Sequence, residues 1–131
     1  MRKLLPIVPF LLALATSGCA STQTGETLKN SFDSGVAAYD AGDYAKAYKI
    51  WSAIDDDDLA AMRNVAMMRR QGLGTAKDPK GAEEMYLRAA EAGLPTAQAD
   101  LADMLIRGEA GPPDPARALP LLEAAAAANH P

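Results

Sequence analysis

The sequence predicts an all-α protein, a short α-solenoid of about three antiparallel helical hairpins, on three observations. Alanine supplies 28 of the 131 residues while aromatics make up only 5%, so apolar contact has to come from closely approaching helices and not from large side chains. Beyond residue 19 there are five Val or Ile residues, Val36, Ile50, Ile54, Val65 and Ile106, too few for a sheet, which favours β-branched side chains. A register shift of 36 residues aligns Ala61 with Ala97, Val65 with Leu101, Met68 with Met104, Gly72 with Gly108, Asp78 with Asp114 and Ala82 with Ala118, the mark of an internal repeat.

The N-terminus reads as an address. Met1-Arg2-Lys3 is basic, residues 4–15 are apolar, and small residues follow at Thr16, Ser17, Gly18, Cys19 and Ala20, the order of a secretory signal. Twelve apolar residues span only ~18 Å as a helix against ~30 Å for a bilayer core, and Pro6 and Pro9 interrupt them. A permanent transmembrane helix is not expected. Ala15-Thr16-Ser17-Gly18-Cys19 contains the only cysteine and resembles the bacterial lipobox, with Thr16 where Leu is commonest. The resemblance implies cleavage between Gly18 and Cys19, lipidation of Cys19, and, with Ala20 following, sorting to the outer membrane. Residues 1–18 are then a signal peptide, and their loss takes the formal charge from −4 to −6 by removing Arg2 and Lys3. An acidic body adds no attraction to anionic lipid, so acyl chains must supply the anchor. A lone cysteine also excludes an internal disulfide.

Residues 19–30, beginning at the lipidated Cys19, are polar and lack apolar periodicity, and are expected to be a flexible tether. The repeat domain is expected over residues 31–131. Its first hairpin places Phe32, Gly35, Ala38 and Tyr39 on one helix, stops at Gly42-Asp43, and places Tyr44, Ala47, Tyr48, Ile50 and Trp51 on the next. The second hairpin has Ala61, Val65 and Met68 at helical spacing, then Gly72, then Asp78-Pro79 as cap and first residue of a helix bearing Ala82, Met85, Tyr86, Ala89 and Ala90. The third repeats it with Gly108, Asp114-Pro115, Ala118, Ala125 and Ala126. Gly93 and Asn129 follow the alanine pairs, and both residue types accept the left-handed conformation that ends helices. A unit of this kind cannot bury its face alone and must stack.

These residues resemble the Sel-1-like repeat, a subclass of the tetratricopeptide-type solenoid, over residues 32–131. The pattern is Ala61, Ala66, Gly72-Leu73-Gly74, Asp78, Ala82, Met85-Tyr86, Ala89-Ala90, Gly93 and Ala97. Gly81 departs from a usual Lys, Met85 from a usual Trp, Asn129 from a usual Gly, and Ala110 stands where the second loop glycine would be. The resemblance implies binding of a protein or peptide partner; no catalytic residue is expected.

Other chemistry finds little support. The acidic balance, with no basic cluster after Lys3, gives no footprint for nucleic acid. Asp55 to Asp58 lack the glycine and distal acid of a calcium loop and read as an acidic helix N-terminus before Leu59. His130 is the only histidine, which excludes a two-histidine zinc site and leaves a Ser-His-Asp triad on the last residues of the sequence. Gly72-Leu73-Gly74 lacks the Lys-Ser/Thr of a phosphate loop. No metal or cofactor is expected. Trp51, Tyr39, Tyr44, Tyr48 and Tyr86 are expected in the core rather than as a ligand patch, as are Met62, Met67 and Met68. Function narrows to a lipid-anchored periplasmic adaptor; the alternatives are a β-lactamase-like or penicillin-binding repeat protein, for which paired cysteines and a Ser-x-x-Lys motif are missing, and a structural accessory of the envelope. The helix bearing Leu119, Leu121 and Leu122 has no successor in this sequence, so either the sequence is an incomplete copy of a longer protein or that face is covered by a partner or a second copy, and self-association or partner docking through this C-terminal helix is expected as well.

Overall fold

Alanine at fixed helical positions lets axes approach, and the helices stack in sequence order. The computed structural model describes residues 20–129, and within them six helices and no strand: α1 (Ala20–Asp40), α2 (Tyr44–Ser52), α3 (Leu59–Gln71), α4 (Pro79–Glu91), α5 (Pro95–Arg107) and α6 (Pro115–Asn129). Each packs on the next, pairing α1/α2, α3/α4 and α5/α6 as three hairpins. Ion pairs join α3 to α5 through Arg63 and Asp100, and α4 to α6 through Glu83 and Arg117. The odd helices thus form one layer and the even helices the other.

A single register runs through all three units. Gly42, Gly72 and Gly108 close the first helices with φ of 79°, 71° and 65°. The next amide in each case, from Asp43, Leu73 and Glu109, reaches back to the carbonyl of Ala38, Met68 and Met104, the hydrogen-bond signature of a left-handed helix stop. The second helices start on aspartates: Asp43, Asp78 and Asp114 accept the amides of Lys46, Gly81 and Arg117 at 3.2, 3.0 and 3.1 Å. Asp58 caps α3 the same way through Ala61, at 2.9 Å.

The core follows the expected spacing. Ala61, Ala66, Ala82, Ala89, Ala97 and Ala102 are fully buried, and Val65, Met68, Tyr86, Leu101 and Met104 fill the space between hairpins. Replacing Asp78 with Ala is expected to cost ~1 kcal/mol through the lost cap. Ala89→Leu should cost ~1–3 kcal/mol by forcing the helices apart. Urea midpoints of the two variants test both, and no shift in either would mean that the register is wrong.

Three expectations are corrected. Residues 20–30, expected as a flexible tether, are helical and continuous with the packed half of α1. Residues 31–40 supply the nucleus, and extending an existing helix fixes few dihedrals per hydrogen bond gained. Lys29 and Asp33 add an i,i+4 pair. Asn129 does not turn left-handed: it is the last residue of α6, and every positive φ among the described residues belongs to a glycine. Ala126 is exposed, although its counterpart Ala90 is buried. Pro120, inside α6, went unremarked in the pattern; it lies on an exposed face, where water can take up the carbonyl bond its missing amide forgoes.

Gly18, Cys19, the rest of residues 1–18, His130 and Pro131 lie outside the described residues. No described helix is long and apolar enough to cross a membrane.

Candidate binding groove

The C-terminal ends of α3 and α5 carry a dense ionic cluster. Arg70 donates to both carboxylate oxygens of Glu109 at 2.7 and 2.6 Å and to Asp103 at 2.5 Å. Arg107 closes on the other oxygen of Asp103 at 2.7 Å. One turn and more toward the N-termini, Arg63 meets Asp100 at 2.7 Å. These residues sit where they do because Arg63 and Arg70 lie on one face of α3, two helical turns apart, and Asp100 and Asp103 on the facing side of α5. The Arg70 side chain is only 17% exposed, so its contacts are better shielded from water than those of an ordinary surface pair.

Around this cluster lies an open groove of about 740 Å³, lined by Arg70, Gln71, Lys77, Asp103, Arg107 and Glu109 with Pro79 at its edge. Arg70 is committed to its two acids and Arg107 is paired with Asp103, so the outer cations of the groove are Lys77 and the exposed part of the Arg107 side chain. Among the described residues no group of three or more His, Cys, Asp or Glu could hold a metal ion.

The electrostatics follow from the geometry. Hydrogen bonds from Arg70 hold the Asp103 and Glu109 carboxyls below the usual carboxylate range, with Arg107 assisting at Asp103. Burial beneath the cluster, with Asp100 nearby, pushes the Tyr86 hydroxyl up to about 12. Tyr48 shows the opposite balance: burial would raise it, but the hydrogen bond and positive charge of Arg69, with Thr75 assisting, outweigh that and leave it lowered. The Arg69 Nε to Tyr48 Oη distance is 3.0 Å. Asp55 is raised by burial and by Asp56.

A pH dependence follows. Depressed carboxyls contribute stability that is present above their unfolded values of about 4 and lost as pH falls through the folded ones. Asp55 acts in the opposite sense, since its proton is bound more readily in the fold. Melting temperature is therefore expected to fall as pH drops below about 4, and Arg70→Met should flatten that fall while lowering stability near neutrality. An unchanged slope in Arg70→Met would remove the cluster as its source.

The remaining site residues take structural places. Gly72 and Gly108 are helix stops, Asp78 and Asp114 are caps, and Gly93, with φ of 94°, follows the end of α4. Gly74 lies in the loop between α3 and α4 with φ of 67°. Ala82, Ala89, Ala90, Ala118 and Ala125 are buried. Trp51 and Tyr86 are in the core, with Tyr39, Tyr44 and Tyr48 packed against it. Met62 and Met68 are buried and Met67 is partly buried. Of the aspartate run, Asp58 is a cap and Asp56 pairs with Arg88 at 2.9 Å.

Sequence reasoning did not find the Arg70 cluster. The available signal was opposite charge about one repeat apart, Arg63 with Asp100 and Arg70 with Asp103, on first helices that a stacked repeat must bring side by side.

Comparison with known proteins follows the same boundaries. The Sel1 repeat matches residues 59–94 and 95–130, more than half of the chain. A Sel1 repeat protein from Oxalobacter formigenes superposes with a TM-score of 0.70 at 32% identity, over 76% of this chain and 41% of that one. The protective antigen c5321 of uropathogenic Escherichia coli, which displays an SLR fold, gives a TM-score of 0.70 at 22% identity, over 82% of this chain and 24% of that one. The chain thus spans less than half the length of either structural neighbour. No curated protein matches it. The first hairpin lies outside the two matched repeats, yet it shares their helix stops and caps; with repeats matched over most of α3 to α6, the chain belongs to the Sel1 repeat family.

Proposed function

We propose that the chain is a lipid-anchored adaptor of the bacterial cell envelope, held at the outer membrane through Cys19 and facing the periplasm, which binds a protein or peptide partner. Sel1 repeat proteins generally mediate protein–protein interaction, and the fold is typically a non-enzymatic scaffold. The observation that carries the reading is the groove of about 740 Å³ on the α3/α5 layer, built by the two matched repeats. The proposal also includes self-association through α6, on which Leu119 and Leu122 are exposed. The helix that begins at Ala20 would hold the body directly on the anchor, with little slack between lipid and domain.

Two experiments test the separate parts. Cys19→Ser is expected to leave the membrane pellet or to accumulate as uncleaved precursor, and labelling with a palmitate analogue should be lost with it. A mature, pelleted form of the variant would refute the anchor. For the adaptor role, partners cross-linked in intact cells to the full chain should be lost from an Arg107→Glu, Lys77→Glu variant that still folds. Identical partners from both chains would remove the groove as the binding site.

A further inference from the structure

The second unit grips the third through four ion pairs: Arg63 with Asp100, Arg70 with Asp103 and with Glu109, and Glu83 with Arg117, at 2.7, 2.5, 2.6 and 3.6 Å. One repeat later, 36 residues on, the positions of Arg63, Arg70 and Glu83 are held by Ala99, Ile106 and Leu119. All three are exposed, Ile106 to 47% and Leu119 to 58%. Leu122 stands where Tyr86 stands in the second unit, and it is 41% exposed against 1% for Tyr86. The large exposed apolar residues of α5 and α6 therefore gather at one end of the stack, on the positions through which one unit holds the next.

The opposite end lacks two of the four partners. Aligning Gly42 with Gly108 puts Ser34 and Ala37 of α1 at the positions of Asp100 and Asp103, and both are exposed. Asp43 takes the position of Glu109, its carboxylate capping α2 by accepting the Lys46 amide, and Lys46, three residues after it as Arg117 is after Asp114, completes the set. Beside them is an open depression of about 340 Å³ lined by Ser34, Ala37, Ala38, Ala41, Asp43 and Lys46. At the two α3/α5-type contacts both ends have become neutral together: Ala99 would face Ser34, and Ile106 would face Ala37. A surface carrying acids in place of Ser34 and Ala37 would bury carboxylates against Ala99 and Ile106 with nothing to pair them, whereas the Asp43 carboxylate is held at the α2 cap by the Lys46 amide.

We infer that the α5/α6 end of one copy docks head to tail on the α1 end of a second copy, continuing the unit-to-unit packing within the chain, with Leu122 seated in the depression beside Ala37 and Ala41. Leu119 then packs along the methylene stem of Lys46. The two surfaces differ, so the contact is heterologous and adds copies in a row instead of closing a symmetric pair. This deepens the self-association part of the proposed function and needs neither a foreign partner nor the lipid.

Site-directed cross-linking separates the possibilities. Full-length chains carrying Ala37→Cys and Leu122→Cys, differently tagged, are solubilised in detergent, mixed and treated with a short bismaleimide, with the unaltered chain treated in parallel to account for Cys19. The expected product joins the two variants, is insensitive to salt because no ion pair is involved, and falls roughly tenfold or more when Ile106→Glu places an unpaired carboxylate against Ala37. Thermal melting of the Ile106→Glu chain confirms that it remains folded. Self-linking of Leu122→Cys without a mixed product would establish a symmetric α6 pair and overturn the inference. No product above the unaltered chain would overturn it as well. Neither result touches the Cys19 fractionation or partner cross-linking, which report on the anchor and the groove.

Discussion

Gly74→Ala is expected to destabilise the domain by ~3 kcal/mol or more, a large share of the ~5–15 kcal/mol that holds a domain of this size folded. Two costs add. Gly74 has φ of 67°, where a Cβ costs ~1–2 kcal/mol. The added Cβ would also lie 2.3 Å from the carbonyl oxygen of Tyr44 and 2.7 Å from the amide nitrogen of Ala45. Those are backbone atoms of the first turn of α2, so no rotamer change relieves the collision, and the loop must lift from the neighbouring unit. Gly93→Ala is the control: φ is 94°, but no atom outside its chain neighbours lies within 4 Å of the new Cβ, so only the conformational cost of ~1–2 kcal/mol applies. Equilibrium urea denaturation should place the Gly74→Ala midpoint well below that of Gly93→Ala. Equal losses would show that contact with α2 is not what demands glycine at this position.

The same pair of residues marks what the sequence can and cannot tell. Gly72, Gly108, Asp78 and Asp114 were legible because each acts within a turn of its own chain position, through a dihedral preference or a capping bond. The buried alanines were legible because helical periodicity and the 36-residue register repeat them. Gly74 was recognisable only as part of a repeat pattern; that its role is close approach to Tyr44 depends on how the units stack. Ala110 occupies its place in the third unit without a positive φ, which shows that this loop takes another path against α4. The Arg70 cluster was not read for a related reason: charged residues carry no periodic apolar signal, and Asp103 and Glu109 become its partners only after two hairpins are superimposed. Residues 20–30 erred the other way, since polar composition argued against order while the packed half of α1 extends the helix through them.

Gly35→Ala provides the second large effect, and here intrinsic propensity and packing point in opposite directions. In an isolated helix the change would stabilise by ~0.5–1 kcal/mol. In this fold the new Cβ would lie 2.2 Å from Trp51 Nε1 and 2.6 Å from its Cε2. The indole has little room to yield: it is 2% exposed, its ring centre is 5.9 Å from those of both Phe32 and Tyr39, and Nε1 donates to the Phe32 carbonyl at 3.2 Å. Displacing it forfeits that bond, ~1 kcal/mol, and much of the burial of a side chain whose complete removal costs ~3–5 kcal/mol. A net loss of ~2–4 kcal/mol is expected after the helix gain is set against it. Trp51 is the only tryptophan, so its emission reports this contact alone and should shift to the red in the variant. Pairing Gly35→Ala with Trp51→Phe should then destabilise by less than the two single changes summed, because a smaller ring leaves room for the methyl group. Unchanged emission and a raised melting temperature in Gly35→Ala would mean that helix propensity governs this site and that the close contact between α1 and α2 does not hold the first hairpin together.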